Sequence, residues 1–165
     1  MATALQRQHG TWVVVSSFLL AALLQVLPLP EWIESYRPEW MALVLIYWVI
    51  ALPYRVGLVS AWVLGFFIDV LEGSMLGLNA MTLSVVAYLA LSLYQRLRMF
   101  TAVQQSSMVL ILVGIHQLLS FWVLAGSNQN TPINLMFMIS AFSSAIVWPF
   151  VFEFLRFFRR YFGVS

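Results

Sequence analysis

Apolar runs of near membrane-crossing length, each cut by a short polar or proline-bearing break, leave this sequence few folds. The runs cover about 11–28, 39–53, 56–72, 77–95, 102–125 and 132–155, and the longest strongly polar break between them is EWIESYRPE at 31–39. A hydrocarbon core about 30 Å thick takes roughly 20 helical residues. Only 8% of the 165 residues are charged, against about 25% in a soluble domain. Too little polar surface exists to cover a soluble globule, so the expected solvent is lipid. The runs are apolar throughout, without the alternation a membrane β-barrel needs. The sequence therefore predicts an all-α fold, an integral membrane six-helix bundle, as one transmembrane domain over residues 1–165.

The breaks have ordinary causes. Pro28 and Pro30 end the first run, and Pro53 ends the second, because proline removes a helix hydrogen bond. The first run is too long for a signal-peptide core, and LPLPEW offers no small-x-small cleavage pattern, so an uncleaved span is expected. GSNQNTP, from Gly126 to Pro132, has turn chemistry, and Pro149 interrupts the last run.

Charge gives orientation. With six spans, Arg7, Arg55, Arg96, Arg98, Arg156, Arg159 and Arg160 share the side of the N-terminus, and Arg37 alone falls opposite. Glu31, Glu34, Glu39, Asp69 and Glu72 fall on or towards the side of Arg37. Positive charge is retained in the cytoplasm, so both termini are expected to be cytoplasmic in a multi-pass membrane protein. The arginines are spread along the chain rather than gathered, which argues for the lipid bilayer as partner and against nucleic acid. Cysteine is absent, which excludes disulfides and thiolate chemistry. The sequence predicts no metal and no cofactor, since His9 and His116 lie far apart without ligand spacing. No nucleophile elbow, P-loop or zinc-protease helix occurs, so an enzyme is not expected.

The stretch GFFIDVLEGSMLG, from Gly65 to Gly77, places two carboxylates in an apolar setting. Asp69 lies fourteen positions past Arg55, roughly 21 Å along a helix, still inside the outer part of the core. An ionised group there costs on the order of 2–3 kcal/mol and needs compensation. Glu72 is one turn further, and Arg37 is the natural partner. Two readings stay open: an outward-facing polar pocket lined by Arg37, Asp69 and Glu72, or an ion pair that locks the first outer loop to the third span. Gly65, Gly73 and Gly77 read as hairpin and packing glycines, or as irregular backbone lining a cavity. His116 and Gln117 sit mid-span, where a histidine hydrogen-bonded to a neighbouring helix is expected over a proton relay. Ser140 and Ser144 mark a packing face, turned into the bundle or towards a partner. In the tail, Glu153 can pair with Arg156 at i, i+3.

RPEW at Arg37–Trp40, LIYWVIALPYRVGL at Leu45–Leu58, GFFIDVLEGSMLGLNAM at Gly65–Met81 and WPFVFEFLRFFRRYF at Trp148–Phe162 together resemble the MreD family of bacterial rod-shape proteins. The residues carrying the resemblance include Pro38, Tyr47, Trp48, Pro53, Arg55 and Gly57. One departure is Ala61-Trp62-Val63-Leu64, where the family often has a small residue. The resemblance implies a non-enzymatic scaffold subunit of the rod complex, or elongasome, partnering the bitopic MreC. It also implies MreB, RodZ, RodA and its class B transpeptidase in the wider complex, with control of lateral peptidoglycan synthesis as the outcome. The family is in turn distantly similar to the S-components of energy-coupling-factor transporters, which implies a small-molecule or lipid-precursor binding protein as the alternative.

Overall fold

The structure is a computed structural model that describes residues 2–127 and 136–164, with side chains from Gly10 to Ser127 and from Met138 to Val164. The described residues form seven helices joined by short turns: α1 Ala2–Val26, α2 Glu31–Glu34, α3 Trp40–Ala51, α4 Leu58–Glu72, α5 Leu78–Met99, α6 Ala102–Gly126 and α7 Met136–Tyr161. No strand occurs among them. Three helices, α5, α6 and the Met138–Tyr161 part of α7, are long and apolar enough to cross a membrane, while Gly10–Val26 and α3 are shorter apolar helices.

Some boundaries differ from the sequence reading. The polar opening before Thr11 is helical and continuous with α1, because nothing in it breaks a helix before Pro28. Pro149 sits inside α7 without ending it; one missing backbone donor does not stop a helix packed against α6 and α3. The turn expected at Gly126–Pro132 and the start of the last expected span lie mostly outside the described residues.

The centre of the molecule is α3. Every residue from Met41 to Ile50 is buried, as befits a helix apolar on all sides. Around it pack α1, α5, α6 and α7, while α4 packs chiefly against α5, and α6 against α7. In lipid the contact of apolar helices is driven by close packing rather than by water release. Small residues permit it: Ala61, Ala87 and Ala90 are fully buried. Two buried indole NH groups are matched. Trp48 Nε1 donates to Ser17 Oγ (2.7 Å) and Trp148 Nε1 to Gln105 Oε1 (3.3 Å).

The ends of the helices sort by charge. A Cβ on Gly10 would lie 3.3 Å from Val164 Cγ1 and 3.5 Å from an Arg55 guanidinium nitrogen. The start of α1, the turn after α3 and the end of the chain therefore meet. Arg98, Arg156 and Arg159 line one cavity with Ala51 and Ala102, so the C-terminal ends of α3, α5 and α7 lie together with the start of α6. The loop 35–39 and the α4–α5 hairpin lie at the other end.

Candidate functional site

The α4–α5 hairpin is built around Asp69. Its backbone carbonyl accepts from Gly73 N–H and from Ser74 N–H (3.1 Å), which closes α4. Its carboxylate reaches across the turn to the start of α5. Oδ1 accepts from Ser74 Oγ (2.9 Å) and Asn79 N–H (2.9 Å), and Oδ2 from Gly77 N–H (2.8 Å) and Ala80 N–H (3.4 Å). The first N–H groups of a helix have no partner within it. Here an acid nine residues upstream of the helix start caps them, and the residue is fully buried. Gly73 and Gly77 take positive φ, +64° and +95°, which L side chains adopt only with strain. The stretch is thus a tight hairpin. Gly65 lets it close: a Cβ there would fall 2.5 Å from Ala80 N and from Asn79 C, inside the backbone of α5.

Glu72 stands apart from this. It is exposed, and its carboxylate accepts from Asn79 Nδ2 (3.3 Å). Arg37 does not bond either acid: its Nη2 donates to Leu24 O and Leu27 O, both at 2.9 Å. The guanidinium caps the C-terminal carbonyls of α1, where a cation also meets the negative end of the helix dipole. Arg37 acts on Glu72 through space, as does Glu39 with the opposite sign. The arginine is thus spent on α1 and the aspartate on α5. Among the described residues the recorded ion pair is Arg156–Glu153, at 3.5 Å.

What the structure does bring together is a polar cluster around Glu39, just before α3. Its carboxylate accepts from Gln25 Nε2 of α1 (3.2 Å) and Gln117 Nε2 of α6 (3.3 Å), and its N–H donates to Ser144 Oγ of α7 (2.9 Å). Ser140 Oγ donates to Arg37 O (2.5 Å) and Ser143 Oγ to Tyr36 O (2.6 Å). The serine face of α7 therefore holds the loop before α3 within the same chain. Beside it opens a cavity of about 330 Å³ lined by Gln25, Glu34, Ser35, Arg37, Pro38, Glu39, Gln117 and Ser140. Gln25 Oε1, Gln117 Oε1, Arg37 Nε and both His116 ring nitrogens are buried without a partner among the described residues. The expected helix-to-helix hydrogen bond of His116 is not formed; the ring is buried within electrostatic reach of Glu39.

Glu39 carries no sequence signal of its own. It looks like one of several loop acids, and Gln117 lies 78 residues away. Gln25 was visible only as a polar interruption of an apolar run. The motif residues fall into other roles. Tyr47 and Trp48 lie in the buried helix α3, Pro53 and Arg55 in the turn after it, and Gly57 at the N-cap of α4. Among the described residues no three His, Asp or Glu come together to hold a metal ion.

Comparison with known proteins gives two concordant matches. The family model described as rod shape-determining protein MreD matches residues 6–158. A protein of Haemophilus influenzae named rod shape-determining protein MreD is 34% identical over 149 residues, which is 90% of this chain and 91% of that protein. No solved structure matches.

Proposed function

Since the chain belongs to the MreD family of rod shape-determining proteins, we propose that it works as a non-enzymatic scaffold within the rod complex, holding MreC in the inner membrane. In this reading six helices cross the bilayer, the arginine-bearing end with both termini faces the cytoplasm, and the Glu39 end faces outward. RodA, its class B transpeptidase, RodZ and MreB belong to the wider assembly that directs lateral peptidoglycan synthesis.

The observation that carries the scaffold reading is Asp69. The most conspicuous intramembrane acid has four donors from its own hairpin, and a carboxylate so occupied serves the fold. Co-purification in mild detergent tests the proposal. The full chain and MreC are expected to leave the column as one complex, and a failure of two folded proteins to associate would overturn it.

A second reading has its own observation. The unpartnered acceptors of Gln25 and Gln117 beside the Glu39 cavity favour a small-molecule or lipid-precursor binding site. It would be centred on Glu39, with Arg37 in the lining and Asp69 and Glu72 outside it. Native mass spectrometry of the purified chain checks this: a bound small molecule present in the wild type and lost in Gln117→Leu supports it, and an empty wild-type protein removes it.

A further inference from the structure

At the arginine end a second cavity, about 430 Å³, opens between the C-terminal ends of α3, α5 and α7 and the start of α6. That is within the range of ligand sites, roughly 300–1,000 Å³. Three guanidinium groups line it, Arg98 from the last turn of α5 and Arg156 and Arg159 from α7, with Glu153 as the one acid. Glu153 lies 3.5 Å from Arg156, with both side chains substantially exposed. Two positive charges in the lining are left without a countercharge there.

The floor is more specific than a basic surface. Tyr47 lines the cavity, yet it is only 2% exposed, and its hydroxyl is buried without a partner. Its ring packs edge-on against Trp48 (centroids 5.3 Å apart) and Phe152 (5.6 Å). A buried hydroxyl normally has a hydrogen-bond partner. Gln105, also in the lining, is already engaged, donating to Leu97 O (2.8 Å) and accepting from Trp148. It holds the wall rather than serving a ligand.

We propose that this cavity binds a phosphate group, with Arg98, Arg156 and Arg159 as the charge-bearing donors and the Tyr47 hydroxyl as the buried donor beneath them. Guanidinium forks match the paired oxygens of phosphate, and the excess positive charge matches its negative charge. The same chemistry reaches this end of the bundle from two sources: the headgroup of an anionic phospholipid, and a free phosphorylated solute.

The test uses the purified full-length chain. Its thermal midpoint is followed on titration with inorganic phosphate in neutral detergent, and in nanodiscs of phosphatidylcholine with increasing phosphatidylglycerol. A saturable rise is expected. A rise with inorganic phosphate assigns the soluble source, and a rise with phosphatidylglycerol alone assigns the lipid headgroup. Arg98→Gln/Arg159→Gln is expected to weaken the response at least about tenfold, and Tyr47→Phe about tenfold, from loss of one hydrogen bond to a charged group. The matched control Arg55→Gln/Arg96→Gln removes the same charge from positions outside the lining and is expected to keep the response. No rise with either probe overturns the proposal. Equal loss in the two double variants overturns it as well, since that is a general charge effect. Tyr47→Phe removes one oxygen and no carbon from the packed ring, so it reports on the site even where an arginine variant folds poorly.

Discussion

At the Trp40 end of α3, Glu39 is bonded by Gln25 and Gln117 and bonds Ser144, and nearby Asp69 collects four donors. At the Ala51 end, about 18 Å along the helix, Arg98, Arg156 and Arg159 line a cavity with one acid and an unpartnered tyrosine hydroxyl. Polar groups at the first end tie α1, α6 and α7 to the loop before α3, and α4 to α5. Among the described residues, charges at the second end make one ion pair, Arg156–Glu153. A polar group that bonds its own fold is a stability element, and one whose bonding capacity is unused is available to a ligand. Substitutions at the first end should therefore be read in folding, and those at the second in binding.

The strongest way to break this comparison is Gly65→Ala. The added Cβ would sit 2.5 Å from the Ala80 backbone nitrogen, and backbone cannot turn aside as a flexible side chain can. Separation of α4 from α5 would also pull Asp69 off the start of α5. Overpacking costs about 1–3 kcal/mol and occasionally more, and this substitution belongs at or above the top of that range. Thermal unfolding in detergent is expected to show a lowered midpoint and a poor yield. A wild-type midpoint would mean that the hairpin does not close as described.

Next in size is Asp69→Asn. One carboxylate oxygen becomes an NH₂ that must face donors already present, leaving them unsatisfied in a buried site. The expected loss is about 2 kcal/mol, with complex formation preserved at matched protein levels. Loss of a bound ligand without loss of stability would return Asp69 to the pocket reading. The companion Glu72→Gln, at an exposed acid, is expected to change stability by less than about 0.5 kcal/mol. The contrast between two acids three residues apart is the sharper result.

These two acids show how far the sequence could be read. Composition and run length predict helices in lipid, because the solvent must match the surface. The positions of the arginines anticipate which helix ends lie together. The spacing Asp69, Gly73, Gly77 also held the hairpin, but in a form that resembles a pocket. Helix caps are ordinarily sought at the residue preceding a helix, whereas Asp69 caps from nine residues upstream through a turn. Arg37 and Asp69 look like partners because each is rare in its setting. Yet the α1 carbonyls compete for Arg37 and the α5 amides for Asp69, and backbone groups leave no mark in a sequence. Glu39 was less legible still: its partners come from positions 25, 117 and 144, a convergence set by helix packing alone.

Glu39→Gln tests the cluster at the first end more gently. The amide retains one acceptor and loses the other, so one of the two glutamine donors is left with a weaker partner. A loss of about 1 kcal/mol is expected, less than at Asp69 because Glu39 is only partly buried and its backbone bond to Ser144 is unaffected. A change larger than that of Asp69→Asn would place the structural keystone of this end in the loop before α3 rather than in the hairpin.

The smallest effect on folding, and the most informative about the second end, is expected from Glu153→Gln. Its pair with Arg156 is long, at 3.5 Å, and substantially exposed. Such an i, i+3 pair contributes roughly 0.2–0.5 kcal/mol, so the thermal midpoint should scarcely move. Glu153 is also the one negative charge lining the arginine cavity, and removing it relieves repulsion of a bound anion while freeing Arg156 to turn inward. Phosphate or phosphatidylglycerol should then saturate its effect at a several-fold lower concentration than in the wild type. A variant that destabilises the chain by more than 1 kcal/mol while leaving anion affinity unchanged would show Glu153 and Arg156 fastening the fold, and the two ends of α3 would no longer differ in kind.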